Sequence, residues 1–267
     1  MYYQTETASY WYEVHGEGIP VVLLHGFTGS NLTWQHFIAQ QRDELQIITI
    51  DLPGHGKTET KEPVTMEAFC HDLSQLFQYL QLDSIHLVGY SMGGRTALSF
   101  ALIYPEMIAT LVLESASPGL LNVDERKLRV EKDELLAEKI EQEGLASFVN
   151  FWQDIPLFQT QKKLPQHVQQ AIRNERLAQT VQGMADSLRF MGTGKQPSWW
   201  GKLHAFKRPV LLLAGELDQK FVEINKSMRN SLENSELVIV EKAGHAIHIE
   251  KSAIFDTLVS EFILKRQ

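Results

Sequence analysis

Cysteine is nearly absent from this chain: there is one, Cys70, in 267 residues. A single thiol excludes an internal disulfide and any CxxC metal or redox pair. Cys70 falls in a helical pattern, Glu67-Ala68-Phe69-Cys70-His71, and reads as a small core residue. Basic excess is missing too. The net charge is −8, so nothing points to nucleic acid or to an anionic membrane surface. No apolar run approaches the ~18 residues of a membrane-spanning helix, so no membrane insertion is expected. The opening Met1-Tyr2-Tyr3-Gln4-Thr5-Glu6 has neither a basic nor an apolar stretch and does not read as a secretory signal. The ten histidines are scattered, with no HExxH and no other helical pair backed by a carboxylate, so no metal site is expected. Internal repeats and low-complexity stretches are lacking. What remains is a protein of a reducing cytoplasm, long enough for one large domain with an insertion.

Against these absences stands Gly89-Tyr90-Ser91-Met92-Gly93. It follows an apolar run, Ile85-His86-Leu87-Val88, and precedes a helical pattern through Leu102. A Ser between glycines on a sharp strand-to-helix turn is lifted above the sheet edge, at a helix N-terminus where negative charge is favoured. Further continuous apolar runs read as buried strands: Pro20–Leu24, Ile47–Asp51, Leu111–Glu114, Val210–Ala214 and Leu237–Val240. Helical patterns separate most of them, among them Met66–Leu80, Ser91–Tyr104 and Phe221–Leu232, and Ala253–Leu264 follows the last. Tyr2–Val14 alternates and reads as an edge hairpin that leaves through His15-Gly16-Glu17-Gly18.

Strands alternating with helices imply a mostly parallel sheet with helices on both faces. With the Ser turn, that is the α/β-hydrolase fold. From Pro118 to Phe206 the rhythm stops. Helical segments Asp124–Gln142, Leu145–Trp152, Gln166–Thr180 and Gln182–Phe190 are broken at Gly144, Pro156, Pro165, Gly192–Gly194 and Pro197. Residues 118–206 are therefore expected to form an inserted helical cap over the C-terminal edge of the sheet, between core segments 1–117 and 207–267.

A Ser hydroxyl needs a His in reach and a carboxylate to orient that His, in the chain order Ser, acid, His. Asp218, after the strand Val210–Ala214, is the leading acid; Glu216 and Glu114 are alternatives. His245 is the leading base over His248, which reads as a packing or surface residue. The oxyanion hole calls for two backbone N–H groups, expected from Met92 and from Phe27 in the loop His25–Gly29. His25 and His55 read as loop-bracing residues. Arg95, four residues after Ser91, lies one turn along the same helix face. A permanent charge there must hold a buried carboxylate of the protein or face a pocket that receives anions.

Several strings extend almost end to end: Leu24-His25-Gly26-Phe27, Asp51-Leu52-Pro53-Gly54-His55-Gly56, Gly93-Gly94-Arg95, Ser117-Pro118-Gly119-Leu120, Pro156-Leu157-Phe158, Arg173 to Arg176, Gly192-Thr193-Gly194, Gly215-Glu216-Leu217-Asp218 and Gly244-His245. Through them the chain closely resembles the 2-succinyl-6-hydroxy-2,4-cyclohexadiene-1-carboxylate synthases of menaquinone biosynthesis. The resemblance implies a lyase that eliminates pyruvate from an enolpyruvyl cyclohexene polycarboxylate, without cofactor or metal. It implies that Ser91, His245 and Asp218 act as general base, and that Phe27 and Met92 hold an enolate oxygen. It places Arg95, Arg129, Arg176 and, less directly, Arg126 on substrate carboxylates, and Tyr90 and Trp152 on the pocket wall. The same triad would serve a hydrolase of carboxylesters, lactones or C–C bonds, and a ligand receptor on a retired hydrolase fold is a third reading. Oligomeric state has no sequence signature here.

Overall fold

The computed structural model describes residues 1–266. The strands are β1 (Tyr2–Gln4), β2 (Ala8–His15), β3 (Ile19–Leu24), β4 (Leu45–Ile50), β5 (Glu59–Thr60), β6 (Ile85–Tyr90), β7 (Ile108–Glu114), β8 (Val210–Gly215) and β9 (Ser235–Val240). The helices are α1 (Gln35–Gln41), α2 (Met66–Tyr79), α3 (Met92–Ile103), α4 (Val123–Trp152), α5 (Gln166–Leu177), α6 (Val181–Met191), α7 (Gln219–Ser231), α8 (Ile247–Glu250) and α9 (Ser252–Leu264). No helix among the described residues is long and apolar enough to cross a membrane.

The sheet order is β1-β2-β4-β3-β6-β7-β8-β9, with β5 paired to β2. From β3 rightward every pairing is parallel, as is β3 with β4; β2 and β1 form the antiparallel edge. The expected strands are all present. β6 continues through Gly89 and Tyr90, two residues past the apolar run, so its last residue stands directly beneath Ser91. The chain runs from β3 outward to β4 and returns to β6 on the other side of β3. That reversal opens a crevice at the carboxyl ends of β3 and β6. Register pairs Leu24 with Gly89, so the loop after β3 and the turn after β6 leave the sheet side by side.

Apolar strands need cover on both faces. On one face Phe69, Leu73 and Phe77 of α2 pack with Leu98 and Phe100 of α3. On the other, Trp34 and Phe37 pack with Phe255, Val259 and Phe262 of α9. Cys70 is buried in α2 with its Sγ toward the Thr96 carbonyl. Between β7 and β8 the chain forms only helices. Asn122 caps α4 by accepting from the Asp124 and Glu125 N–H groups, and Thr180 caps α6 through Gly183. α4 is interrupted at Gly144, where φ is 79° and ψ 166°, a conformation open essentially to glycine alone. This segment has its own small core of Ala137, Ile140, Phe148, Val149, Met184 and Leu188, against which Phe27 of the sheet domain packs.

Candidate active site

Ser91 sits at the β6–α3 turn with φ 51° and ψ −107°, a conformation disfavoured for any residue with a Cβ. Close packing holds the strain. A Cβ on Gly93 would strike the Leu24 and His25 carbonyls, and one on Gly94 would come within 2.6 Å of Ala116 Cβ. Ser91 N–H donates to the Glu114 carbonyl at 2.8 Å, carrying the β6–β7 ladder one residue further.

His245 and Asp218 reach Ser91 from the ends of β9 and β8. His245 Nδ1–H donates to the Asp218 carboxylate at 2.6 Å, and Nε2 lies 3.0 Å from Ser91 Oγ. His245 is 1% exposed and Asp218 8%. Tyr90, Phe158 and Phe221 pack around the imidazole. With the imidazole and the carboxylate buried and Ser91 half-buried, the three groups form a path along which the Ser proton can pass to Nε2.

The alternative acids go elsewhere. Glu216 accepts the Lys242 N–H at 2.9 Å on the surface. Glu114 is fully buried and bonds to His248, whose Nδ1 lies 2.9 and 3.0 Å from its two oxygens and whose N–H is 3.1 Å from one. His248 is thus neither a surface residue nor simple packing: it is half of a second carboxylate–imidazole pair, with its ring 4.5 Å from that of Tyr90 and tilted 59° to it. The sequence offered one signal for it, a charged residue ending an otherwise apolar strand.

The loop after β3 is braced by two buried imidazoles. His25 Nδ1–H donates to the Gly26 carbonyl at 2.8 Å, and Nε2 accepts the Leu52 N–H at 3.0 Å. His55 Nδ1–H donates to the Pro53 carbonyl at 3.0 Å, and Nε2 accepts the Thr28 N–H at 3.2 Å. One ring proton satisfies both nitrogens only in the neutral form. Burial accordingly pushes His25 down to about 4, and burial with the neighbouring His25 pushes His55 down to about 3. The N–H groups of Phe27 and Met92 have no acceptor among the described residues. Two such donors beside Ser91 can hold a developing oxyanion.

Arg95 is 9% exposed. Its Nη1 donates to the Met191 carbonyl and to Gln196 Oε1, both at 3.0 Å, and no carboxylate lies within hydrogen-bonding distance among the described residues. Burial first, then the charge of Arg129, pushes its pKa down to about 9. Arg129 Nε bonds to Asp133 at 2.8 Å; the other Asp133 oxygen is buried without a partner, and burial pushes that carboxyl up. Arg176, also buried, donates to Gln161 Oε1 at 3.1 Å and lies 4.6 Å over the Phe158 ring. Burial lowers its pKa as well. Trp152 stands edge-on to Phe27 at 5.4 Å, and its buried indole N–H has no acceptor. Arg126 lies apart, in a groove with Val123, Val130, Gly194 and Lys195 that includes none of Ser91, Arg95 or Arg176.

α5 is bonded to the loop that carries the Phe27 N–H. Glu175 Oε1 accepts from the Ser30 N–H, the Ser30 hydroxyl and the Thr33 hydroxyl, each at 2.8 Å. One turn later Gln179 donates to the Thr28 and Gly29 carbonyls and accepts the Gly56 N–H at 2.9 Å. Sequence reading did not single out these two residues, because their reach depends on how the helix docks.

A strained Ser turn at the switch point of a parallel sheet, with His and Asp supplied by the last two strands, is the arrangement of the α/β hydrolases. The family model of the alpha/beta hydrolase fold matches residues 19–252, and the chain belongs to that family. Within it, the chain is 43% identical to a protein of Bacillus subtilis (strain 168), over 91% of this chain and 89% of that one. That relative is provisionally named 2-succinyl-6-hydroxy-2,4-cyclohexadiene-1-carboxylate synthase. The synthase of the same name from Serratia proteamaculans (strain 568) is 29% identical over 91% of this chain and 92% of its own. MenH from S. aureus superposes with a TM-score of 0.92 at 38% identity, covering 98% of this chain and all of that one. The chain belongs to this family of synthases.

Proposed function

We propose that this protein is a carbon–oxygen lyase of menaquinone biosynthesis. It eliminates pyruvate from an enolpyruvyl cyclohexene polycarboxylate and leaves 2-succinyl-6-hydroxy-2,4-cyclohexadiene-1-carboxylate. The observation that carries this reading is Arg95: a guanidinium buried one helical turn from Ser91, with only neutral oxygens as partners. The nearby Asp133 carboxylate is bonded to Arg129 and offsets the Arg95 charge only at longer range, so a carboxylate guest can bond where the protein offers neutral oxygens alone. Relatives at 43% and 29% identity that bear the synthase name support it further.

In this reading Ser91 Oγ takes the proton from the carbon beside the succinyl ketone while its own proton passes to His245 Nε2. The freed electron pair shifts through the ring alkene. The ether C–O bond breaks, and its pair leaves on the enolpyruvate oxygen. The imidazolium proton, relayed by Ser91, goes to the departing enolpyruvate oxygen, which restores neutral His245 and the Ser91 hydroxyl, and the enol ketonises to pyruvate. Asp218 holds the imidazole and stabilises its charge. The Phe27 and Met92 N–H groups receive the enolate oxygen, each such donor being worth roughly 3 kcal/mol in a barrier. Arg95, Arg129 and Arg176 bind carboxylates, while Tyr90 and Trp152 form the wall. Arg126 joins them only if the substrate extends to its groove. Residues 118–206 serve as the cap that brings arginines over the sheet edge, and the protein works in the cytoplasm on a small molecule.

Purified protein mixed with the pathway substrate releases pyruvate, measured by a coupled lactate dehydrogenase assay. No release from folded protein overturns the proposal. A hydrolase would turn over neutral short-chain p-nitrophenyl esters saturably; the expected rate is negligible.

A further inference from the structure

Beside the catalytic residues lies a basin of about 440 Å³ that does not include Ser91. Its walls come from the turn after α4, from Pro156–Lys163 and from one face of α5. Volumes from about 300 Å³ upward suit a small organic guest. The lining is unusual in its charge. Lys162, Arg173 and Arg176 contribute three positive groups, against a single acid, Asp154, which is already paired with Lys162 at 3.0 Å. Arg173 and Arg176 are therefore free of carboxylate partners among the described residues. Arg173 bonds only to Gln153 Oε1, at 3.1 Å, and Arg176 only to Gln161 Oε1. The remaining polar lining is mostly glutamine.

Three residues connect the basin to the chemistry. Arg176, Phe158 and Gln161 belong to its wall. Arg176 lies over Phe158, and Phe158 packs on His245 at 6.2 Å. Arg173 is one turn before Arg176 on the same helix face. α5 is itself pinned to the core through Glu175 and Gln179, so passage cannot depend on lifting that helix. The chain as a whole carries −8 and repels a polyanion at long range. A local positive mouth offsets that repulsion where it matters.

We propose that this basin is the port through which the polycarboxylate reaches Ser91, with Arg173 as the carboxylate-docking residue at its outer end. The port rests on the lyase reading, and Arg173 acts on arrival rather than on the chemical step. Arg173→Glu is therefore expected to lower kcat/KM for pyruvate release about tenfold at low ionic strength, with kcat within about twofold of wild type. In about 0.5 M salt the deficit shrinks to less than about threefold, because screening weakens steering. Arg173→Lys keeps the charge and stays within about threefold throughout. A kcat/KM equal to wild type, a deficit that salt leaves unchanged, or an equal fall in kcat overturns the port. If wild type releases no pyruvate, the lyase reading fails but the basin is still testable with succinate as probe by calorimetry. Weaker succinate binding by at least about fivefold in Arg173→Glu supports an anion site there, and equal binding removes it.

Discussion

Replacing Arg95 with Met separates binding of the guest from stability of the fold. The folded protein holds this guanidinium charged at a cost. Its pKa falls well below the usual guanidinium value, to about 9, which corresponds to something on the order of 4 to 5 kcal/mol. The bonds to the Met191 carbonyl and Gln196 Oε1 return roughly 1.5–3 kcal/mol each, as hydrogen bonds from a charged donor do. Methionine removes both contributions and fills similar volume, so they offset to within about 2 kcal/mol. The melting temperature should stay within about 8 °C of wild type. Catalysis has no such offset. Loss of a desolvated guanidinium–carboxylate pair costs roughly 4 kcal/mol, so kcat/KM for pyruvate release should fall about a thousandfold. A melting temperature near wild type with less than a tenfold loss of kcat/KM would refute the reasoning. So would a melting temperature more than about 15 °C lower, which would make Arg95 a structural keystone.

Four further outcomes are expected. Asp218→Asn should lower kcat by about 10³ or more at little cost in melting temperature. Glu114→Gln should do the reverse, losing about 2–4 kcal/mol of stability by urea unfolding while folded protein keeps its kcat within about threefold, because Glu114 bonds to His248 and not to His245. Gly93→Ala should cost about 3 kcal/mol, read as a fall of 6 °C or more, since the new methyl meets two strand carbonyls that cannot move aside. His25 and His55 are held neutral in the fold, so stability present at pH 7 is lost as pH falls below 6.5, on the order of 2 kcal/mol per ring by pH 5. Urea midpoints at pH 7, 6 and 5 measure that slope, and a flat profile would contradict it.

The central strands and the Ser turn could be read from sequence because each has one dominant cause. A strand covered on both faces is apolar throughout, and the turn tolerates only glycine where α3 meets β3. Gly144 was legible for the same reason: its backbone lies where side chains do not go. α1 and α8 were not legible, being too short at seven and four residues to show a helical period. The Glu114–His248 pair depends on the register that sets Tyr90 beside Glu114, and on a turn of chain after β9. Asp133 and Gln196 look like ordinary polar helix and loop residues until packing buries them beside the arginines. Arg126 and Arg129 stand three residues apart on α4, yet only Arg129 is tied down, by Asp133 one turn further along.

Helix α5 and the two residues that follow it carry two kinds of cargo on a single register. Glu175 and Gln179 grip the loops of the sheet domain, while Arg173 and Arg176 face the basin. An α-helix turns about 100° per residue. Inserting or deleting one amino acid within α5 would swing everything downstream by that angle, releasing the grip at Gln179 and redirecting Arg176 in the same event. Length variation among descendants of this gene should therefore collect outside α5, in turns such as the one after Gly192, where the chain can absorb an extra residue without rotating a working face.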